Sequence, residues 1–425
     1  MLNKRKSFVI SINKTSLRSY LLYLWFFNLL ALTVTRFVLS SVGISSGNFR
    51  EMILWLVASI PLIMCLLNAR TIGLYRIAPF LIMFAVVVLA YCMTIMTNPT
   101  VAPYLLRENY GLVRLFRPDA AIFAALFFLL PDDTEELKKN ITVYALLRFV
   151  YEIVFSILPA VQRGYWINVG SSGQEIHLSY SLTFGYNICF PTVVFLYKAI
   201  KEKKIVYLLL SLVGVLFIIF YGNRGALLVP LLFLALMLIS NILSDRDASK
   251  KVLKISAILI GCFLLIIFED AILRLFLSAL TKAGISSRTV NMIGLGTFSE
   301  DNGRTRIWLA SLDAIKNGGI IGNGMYGDRP FVSQVHYVGY SHNLFLELIA
   351  SFGIVGAGIS VYVIIDSIRM IFFCKDRNWR ELYIIFFSIS CQLLISMSLW
   401  YVWAFWAALA ISFNYRHYQK QASLS

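Results

Sequence analysis

The chain has 425 residues, 59% of them apolar and only 14% charged, with a formal net charge of +16. Soluble domains carry roughly a quarter charged residues, so this balance excludes a water-soluble fold. The basic excess is spread over short loops between apolar blocks, which fits cytoplasmic loops and does not suggest a nucleic-acid binder.

The N-terminus reads Met1-Leu2-Asn3-Lys4-Arg5-Lys6 and continues with Asn13, Lys14 and Arg18 before the first long apolar block. No small-residue cleavage site follows a short apolar core there, which predicts a retained first span and no cleaved signal peptide. Further blocks are of the length needed to cross ~30 Å of hydrocarbon at 1.5 Å per residue. Backbone groups in lipid must be satisfied internally, so these blocks are predicted helices. Spans are expected at 20–40, 52–67, 77–96, 118–131, 141–158, 178–196, 205–220, 225–243, 252–268, 342–365, 382–398 and 399–414. The block at 118–131 also fits a partly re-entrant segment, and one long helix through 382–414 reads nearly as well as two spans. No internal repeat or low-complexity linker is evident. The expectation is an all-α polytopic helical membrane protein, a single membrane domain over 1–425, with a long extracytoplasmic loop at 269–340 between spans nine and ten.

Orientation follows from the loops. With the N-terminus in the cytoplasm, the inside segments hold 23 of the 38 basic residues, including the 197–204, 244–254 and 369–381 loops, and the C-terminus is cytoplasmic too. Fourteen of the 16 lysines fall inside, whereas the outside set is eleven arginines and two lysines. Translocation disfavours basic charge, so outside arginines need a reason, and a planar fork that grips phosphate is one. Cys65, Cys92, Cys189, Cys262, Cys374 and Cys391 are scattered without ligand spacing, so neither a disulfide framework nor a zinc site is indicated.

Three outer segments stand out. Tyr221-Gly222-Asn223-Arg224-Gly225-Ala226 carries the only charge between Lys204 and Asp245. Taken alone, Arg224 is most simply an interfacial anchor that snorkels to head groups. Gly303-Arg304-Thr305-Arg306-Ile307-Trp308 opens an amphipathic helix, with Gly318-Gly319 at its end and a glycine-rich turn after it. Arginines at the positive end of a helix suit a bound anion, the alternative being pairing with Glu300 or Asp301. Tyr340-Ser341-His342-Asn343-Leu344-Phe345-Leu346-Glu347 marks the re-entry of the chain into the membrane. His342 there suits a general base, against the plainer reading of a helix-start histidine bonded to backbone. Glu347 lies one turn deeper, with Asn343 four residues before it, and an ionisable group inside a span is a site by default. Arg148 and Glu152 are spaced to neutralise each other and read as structural. Arg107, Arg114 and Arg117 crowd the loop before the fourth span and extend a phosphate-binding surface, while Glu175 and His177 read as solvated loop residues.

Together these segments resemble the O-antigen polymerase and O-antigen ligase superfamily of bacterial envelopes. The resemblance lies in Arg224-Gly225 after a mid-chain span, the Gly-Arg-x-x-Ile-Trp helix at Gly303–Trp308, the Gly-x-Gly turn within Ile321–Gly324, and the His342–Gly356 run. It covers roughly 220–356; the N-terminal half matches only in its pattern of spans. The resemblance implies a GT-C-like glycosyltransferase of the bacterial plasma membrane that needs no cofactor or metal. Its donor would be an oligosaccharide on undecaprenyl pyrophosphate, with membrane lipid and a chain-length regulator as further partners. Arg224 and Arg304 would hold the pyrophosphate, with Arg306 assisting. His342 would deprotonate the acceptor hydroxyl, which attacks the anomeric carbon with inversion, and Asn343 and Glu347 would complete the substrate site. Two arginines two residues apart leave the choice between Arg304 and Arg306 to the Gly-Arg-x-x-Ile-Trp alignment, which selects Arg304. Polymerase is favoured over ligase, and a lipid-linked sugar transporter or flippase is the rival of another class.

Overall fold

The computed structural model describes residues 14–44, 47–107, 111–169, 175–178, 180–244, 303–336 and 339–422, with single residues 247, 249 and 278 besides. The chain is a polytopic helical membrane protein. Among the described residues six helices are long and apolar enough to cross a membrane: Leu17–Ser41, Asn48–Leu67, Leu74–Thr97, Thr134–Arg163, Gly225–Ile242 and Leu344–Phe373. The elements used below are α1 (Lys14–Ser41), α2 (Asn48–Leu67), α3 (Leu74–Thr97), α4 (Phe123–Leu129), α5 (Thr134–Glu152), α6 (Leu182–Glu202), α7 (Ile205–Tyr221), α8 (Arg224–Ser244), α9 (Arg304–Gly318), α10 (Leu344–Ile368), α11 (Arg377–Ser390) and α12 (Trp403–Ala422). The expected span at 252–268 lies outside the described residues, as does most of 269–302. An antiparallel pair of short strands, Trp166–Val169 and Glu175–Leu178, occupies part of the expected loop at 159–177 and the first residue of the expected span at 178–196.

Ion pairs sort the loops to two ends. Arg18 and Arg76 both bind Asp132, Lys201 and Arg377 both bind Glu381, and Arg416 binds Asp366. Arg117 binds Asp119 at 2.5 Å and Glu51 at 3.3 Å at the other end, where Arg36 also reaches Asp119 at 3.7 Å. The grouping agrees with the loops expected to share a side. It also assigns the 117–132 segment, because Asp119 pairs near the C-terminal end of α1 and Asp132 near its N-terminal end. The segment therefore runs from end to end and does not turn back. Only the seven residues of α4 are helical, spanning about 10 Å, and all seven are buried. Pro118 and Pro131 bracket the helix, and surrounding protein shelters the irregular flanks from lipid.

The 382–414 block is two antiparallel helices, since the Tyr415 hydroxyl of α12 accepts from the Lys375 amide just before α11, at 3.1 Å. Their join differs from the expectation. α11 ends at Ser390, a 3-10 turn covers Cys391–Leu394, and the chain stays open until α12 starts at Trp403. The Trp403 ring packs against Phe26, Phe190 and Phe386 with centroids 6.0, 5.1 and 5.8 Å away, so the open segment rests on a rigid aromatic core.

α10 is kinked at Gly353, whose φ of 52° and ψ of −127° leave the helix. The Gly322–Gly324 turn fills the break: Asn323 N donates to Ala350 O at 3.0 Å, Gly324 N to Ser351 O at 2.8 Å, and Ile354 N to Ile320 O at 2.8 Å. A Cβ on Gly353 would collide with the Ile320 carbonyl. Gly353→Ala is thus expected to cost about 1–3 kcal/mol from the backbone conformation, with more from the clash. A lowered melting temperature of the detergent-solubilised protein checks this; an unchanged one refutes it.

Candidate functional site

The open segment between α11 and α12 exposes main-chain groups that helix would have consumed, and the outer loop uses them. His342 Nδ1 lies 2.7 Å from the Ser396 carbonyl oxygen, and the Tyr340 hydroxyl donates to the same oxygen at 3.2 Å. A carbonyl can only accept, so Nδ1 carries the proton and the neutral ring keeps its lone pair on Nε2. That Nε2 is buried and has no hydrogen-bond partner among the described residues. Burial pushes the His342 pKa down from 6.5 to about 4, the Ser396 contact opposes this, and the charges of His336, Arg304 and Arg329 add to the lowering. The residue also sits at φ 51°, a left-handed conformation uncommon outside glycine. A neutral, oriented, strained histidine is equipped to accept a proton.

Beneath it lies a network that the sequence did not reveal. Arg329, fully buried, donates to both carboxylate oxygens of Asp328 at 2.8 Å and to Glu347 at 2.8 Å. Asp328 in turn accepts from the Ser341 amide at 2.8 Å and hydroxyl at 2.6 Å, which fixes the residue preceding His342. Glu347 accepts from the Ser398 hydroxyl at 2.6 Å and the Leu399 amide at 3.2 Å, which fixes the segment that holds His342 Nδ1. Asn343 caps α10 through Oδ1, accepting from Phe345 N at 3.0 Å and Leu346 N at 3.2 Å. Asn343 Oδ1 is thus committed to the helix end, and the Glu347 carboxylate to Arg329, Ser398 and Leu399.

Arg224 and Arg304 are the first residues of α8 and α9. A cation at the positive end of a helix is unfavourable unless an anion accompanies it. Gly225 lacks a side chain for a steric reason: a Cβ there would lie within 3.0 Å of the Tyr186 hydroxyl, Asn223 Oδ1 and Ile395 Cδ1. The start of α8 thus abuts the same open segment that holds His342. Arg304 acts electrostatically on both His342 and Tyr186. Arg306 stands about 200° around the helix from Arg304 and is exposed, whereas Arg304 is half-buried. The pair therefore splits into an inward and an outward arginine.

Residues 204–361 match the family model described as O-antigen ligase. That segment is of the O-antigen ligase and polymerase superfamily. The match spans α7, α8, α9 and most of α10, so it contains Arg224, Arg304, Arg306 and His342. No curated protein and no solved structure is significantly similar to the chain. The Ser396 and Ser398 contacts lie beyond the matched residues. Arg304→Ala is expected to reduce activity of this O-antigen ligase and polymerase type by at least tenfold, as loss of a charge-assisted contact implies, and Arg306→Ala by less than threefold. Glycan yield per expressed protein measures both; equal losses would refute the inward and outward assignment.

Proposed function

We propose that the protein is a polymerase of undecaprenyl-pyrophosphate-linked repeat units, building O-antigen or capsular polysaccharide at the outer face of the plasma membrane, with both termini in the cytoplasm. The observation that carries the reading is His342, neutral with its Nε2 lone pair available, beside the electrostatic reach of Arg304. Arg224 and Arg304 hold the donor pyrophosphate at two helix starts, and Arg306 lies at the edge. The acceptor hydroxyl gives its proton to His342 Nε2 as its oxygen bonds to the donor anomeric carbon. The bond from that carbon to the pyrophosphate breaks on the opposite face, which inverts the centre. Arginine charge neutralises the leaving group, with no metal in the scheme. Pyrophosphate on Arg304 also offsets a charge that lowers the His342 pKa, so the base strengthens when the donor is bound.

A second reading, ligase, is favoured by the matched family, that of O-antigen ligase. Polymerase and ligase share the donor chemistry and differ in the acceptor: a second lipid-linked unit, or lipid A core. Deleting the protein and profiling the glycan separates them. A single repeat unit left on the final acceptor supports polymerase; free polymer with no attachment supports ligase and overturns polymerase.

A further inference from the structure

The open segment that holds His342 also walls a chamber. Gln392, Met397 and Tyr401 line a cavity of about 400 Å³. It shares wall residues with a second of about 360 Å³, among them Arg36, Arg114, Asp119, Tyr401 and Trp403. Volumes of this size suit a small ligand or a few sugar rings. The charges around the two cavities do not balance. Arg36 and Arg117 face Asp119 and Glu51, and Arg148 faces Glu152 at 2.6 Å. Arg114 forms no ion pair among the described residues; its guanidinium lies 4.7 Å over the Tyr401 ring.

From these observations we infer that the chamber seats an acidic sugar residue of the glycan, and that Arg114 is the residue that selects it. The inference rests on the glycosyltransferase reading of the site. The half-buried Tyr401 and Trp403 line both cavities and supply apolar surface for the C–H side of a pyranose. A guanidinium already stacked on one ring is pre-organised to receive a carboxylate bidentately. One unmatched arginine fits a monoanionic carboxylate better than a multiply charged pyrophosphate, for which the two helix-start arginines are better suited. A polyprenyl chain is excluded from a lining so rich in guanidinium and carboxylate groups. The shared wall carries the consequence: Met397 and Tyr401 are on the chain that orients His342, so a sugar held there lies beside the base.

The test is calorimetric binding to the full-length protein in nanodiscs, which needs no turnover. The probes are a glucuronate-containing disaccharide, its carboxyl-reduced analogue and inorganic pyrophosphate. The wild type is expected to prefer the glucuronate disaccharide by roughly tenfold over the reduced analogue. Arg114→Gln removes that preference while keeping the affinity for the reduced analogue, and Arg114→Lys keeps part of it. Equal affinities in the wild type, or a preference that survives Arg114→Gln, overturn the proposal. Competition by pyrophosphate, together with weaker pyrophosphate binding in Arg114→Gln, also overturns it and makes the chamber part of the leaving-group site. Arg114-dependent glucuronate binding in a protein shown to make no glycosidic bond would leave the chamber standing and remove the polymerase reading. The converse result, no glucuronate preference in a wild-type protein that still makes polymer, removes only the chamber.

Discussion

His342→Ala should abolish polymer formation while membrane insertion and expression remain normal. Removing a positioned general base costs roughly 10²–10⁴-fold in rate, enough to take polymer below detection. The Ser396 carbonyl fixes the tautomer, so His342→Gln, which cannot accept a proton near neutral pH, should fail as fully as alanine. Full-length polysaccharide from either variant would refute the base assignment. The same residue gives a pH dependence whose sign is fixed by burial. The folded pKa is lowered from 6.5 to about 4, so between these values the unfolded chain binds a proton that the fold does not. Stability from this group is complete above 6.5 and is lost as pH falls toward 4. In His342→Ala the melting temperature should depend less steeply on pH across that window, and an unchanged slope would count against the buried neutral state.

Arg329→Ala should be the most destabilising single change near the site, at about 3–5 kcal/mol. The substitution leaves Asp328 and Glu347 buried with no counter-charge, and each also holds a main-chain group of a different segment. Activity should fall together with stability, because the Ser341 and Leu399 amides flank the two halves of the His342 contact. Glu347→Gln keeps the shape and one acceptor oxygen, loses the other to an NH2 donor, and leaves Arg329 paired with Asp328, so it should cost less. Thermal unfolding in detergent distinguishes these variants; an Arg329→Ala protein that melts like wild type would mean that the buried ion cluster contributes nothing.

The membrane character and most of the helices were legible in the sequence because hydrophobic length is a one-dimensional property. His342 and Arg304 were legible because each stands at a boundary, one where the outer loop re-enters the membrane and one at a helix start. Asp328 and Arg329 were not: adjacent opposite charges in a glycine-rich stretch look like solvent-exposed turn residues, and only the fold shows them fully buried. Their signal in retrospect is an acid–base pair followed directly by Pro330, at the end of the Gly322–Gly327 turn. The open segment at 391–402 was missed for the opposite reason. Its apolar residues continue the hydrophobic run of α11, and nothing in local pattern distinguishes a helix from a run of turns whose polar groups are taken by Tyr340, His342, Glu347 and Trp406. In the same way the sequence left 118–131 open between a crossing and a partly re-entrant segment, and the ion pairs at its two ends came only from tertiary structure.

The partner that orients His342 is a carbonyl, and a carbonyl has no genetic identity. Alanine scanning of 391–402 would therefore pass over the Ser396 contact without a signal, since every residue type presents the same oxygen. Inserting or deleting one residue there would instead shift the acceptor by a peptide unit and uncouple the imidazole at once. The site is encoded at this point in chain length, and an indel scan is the instrument that would read it.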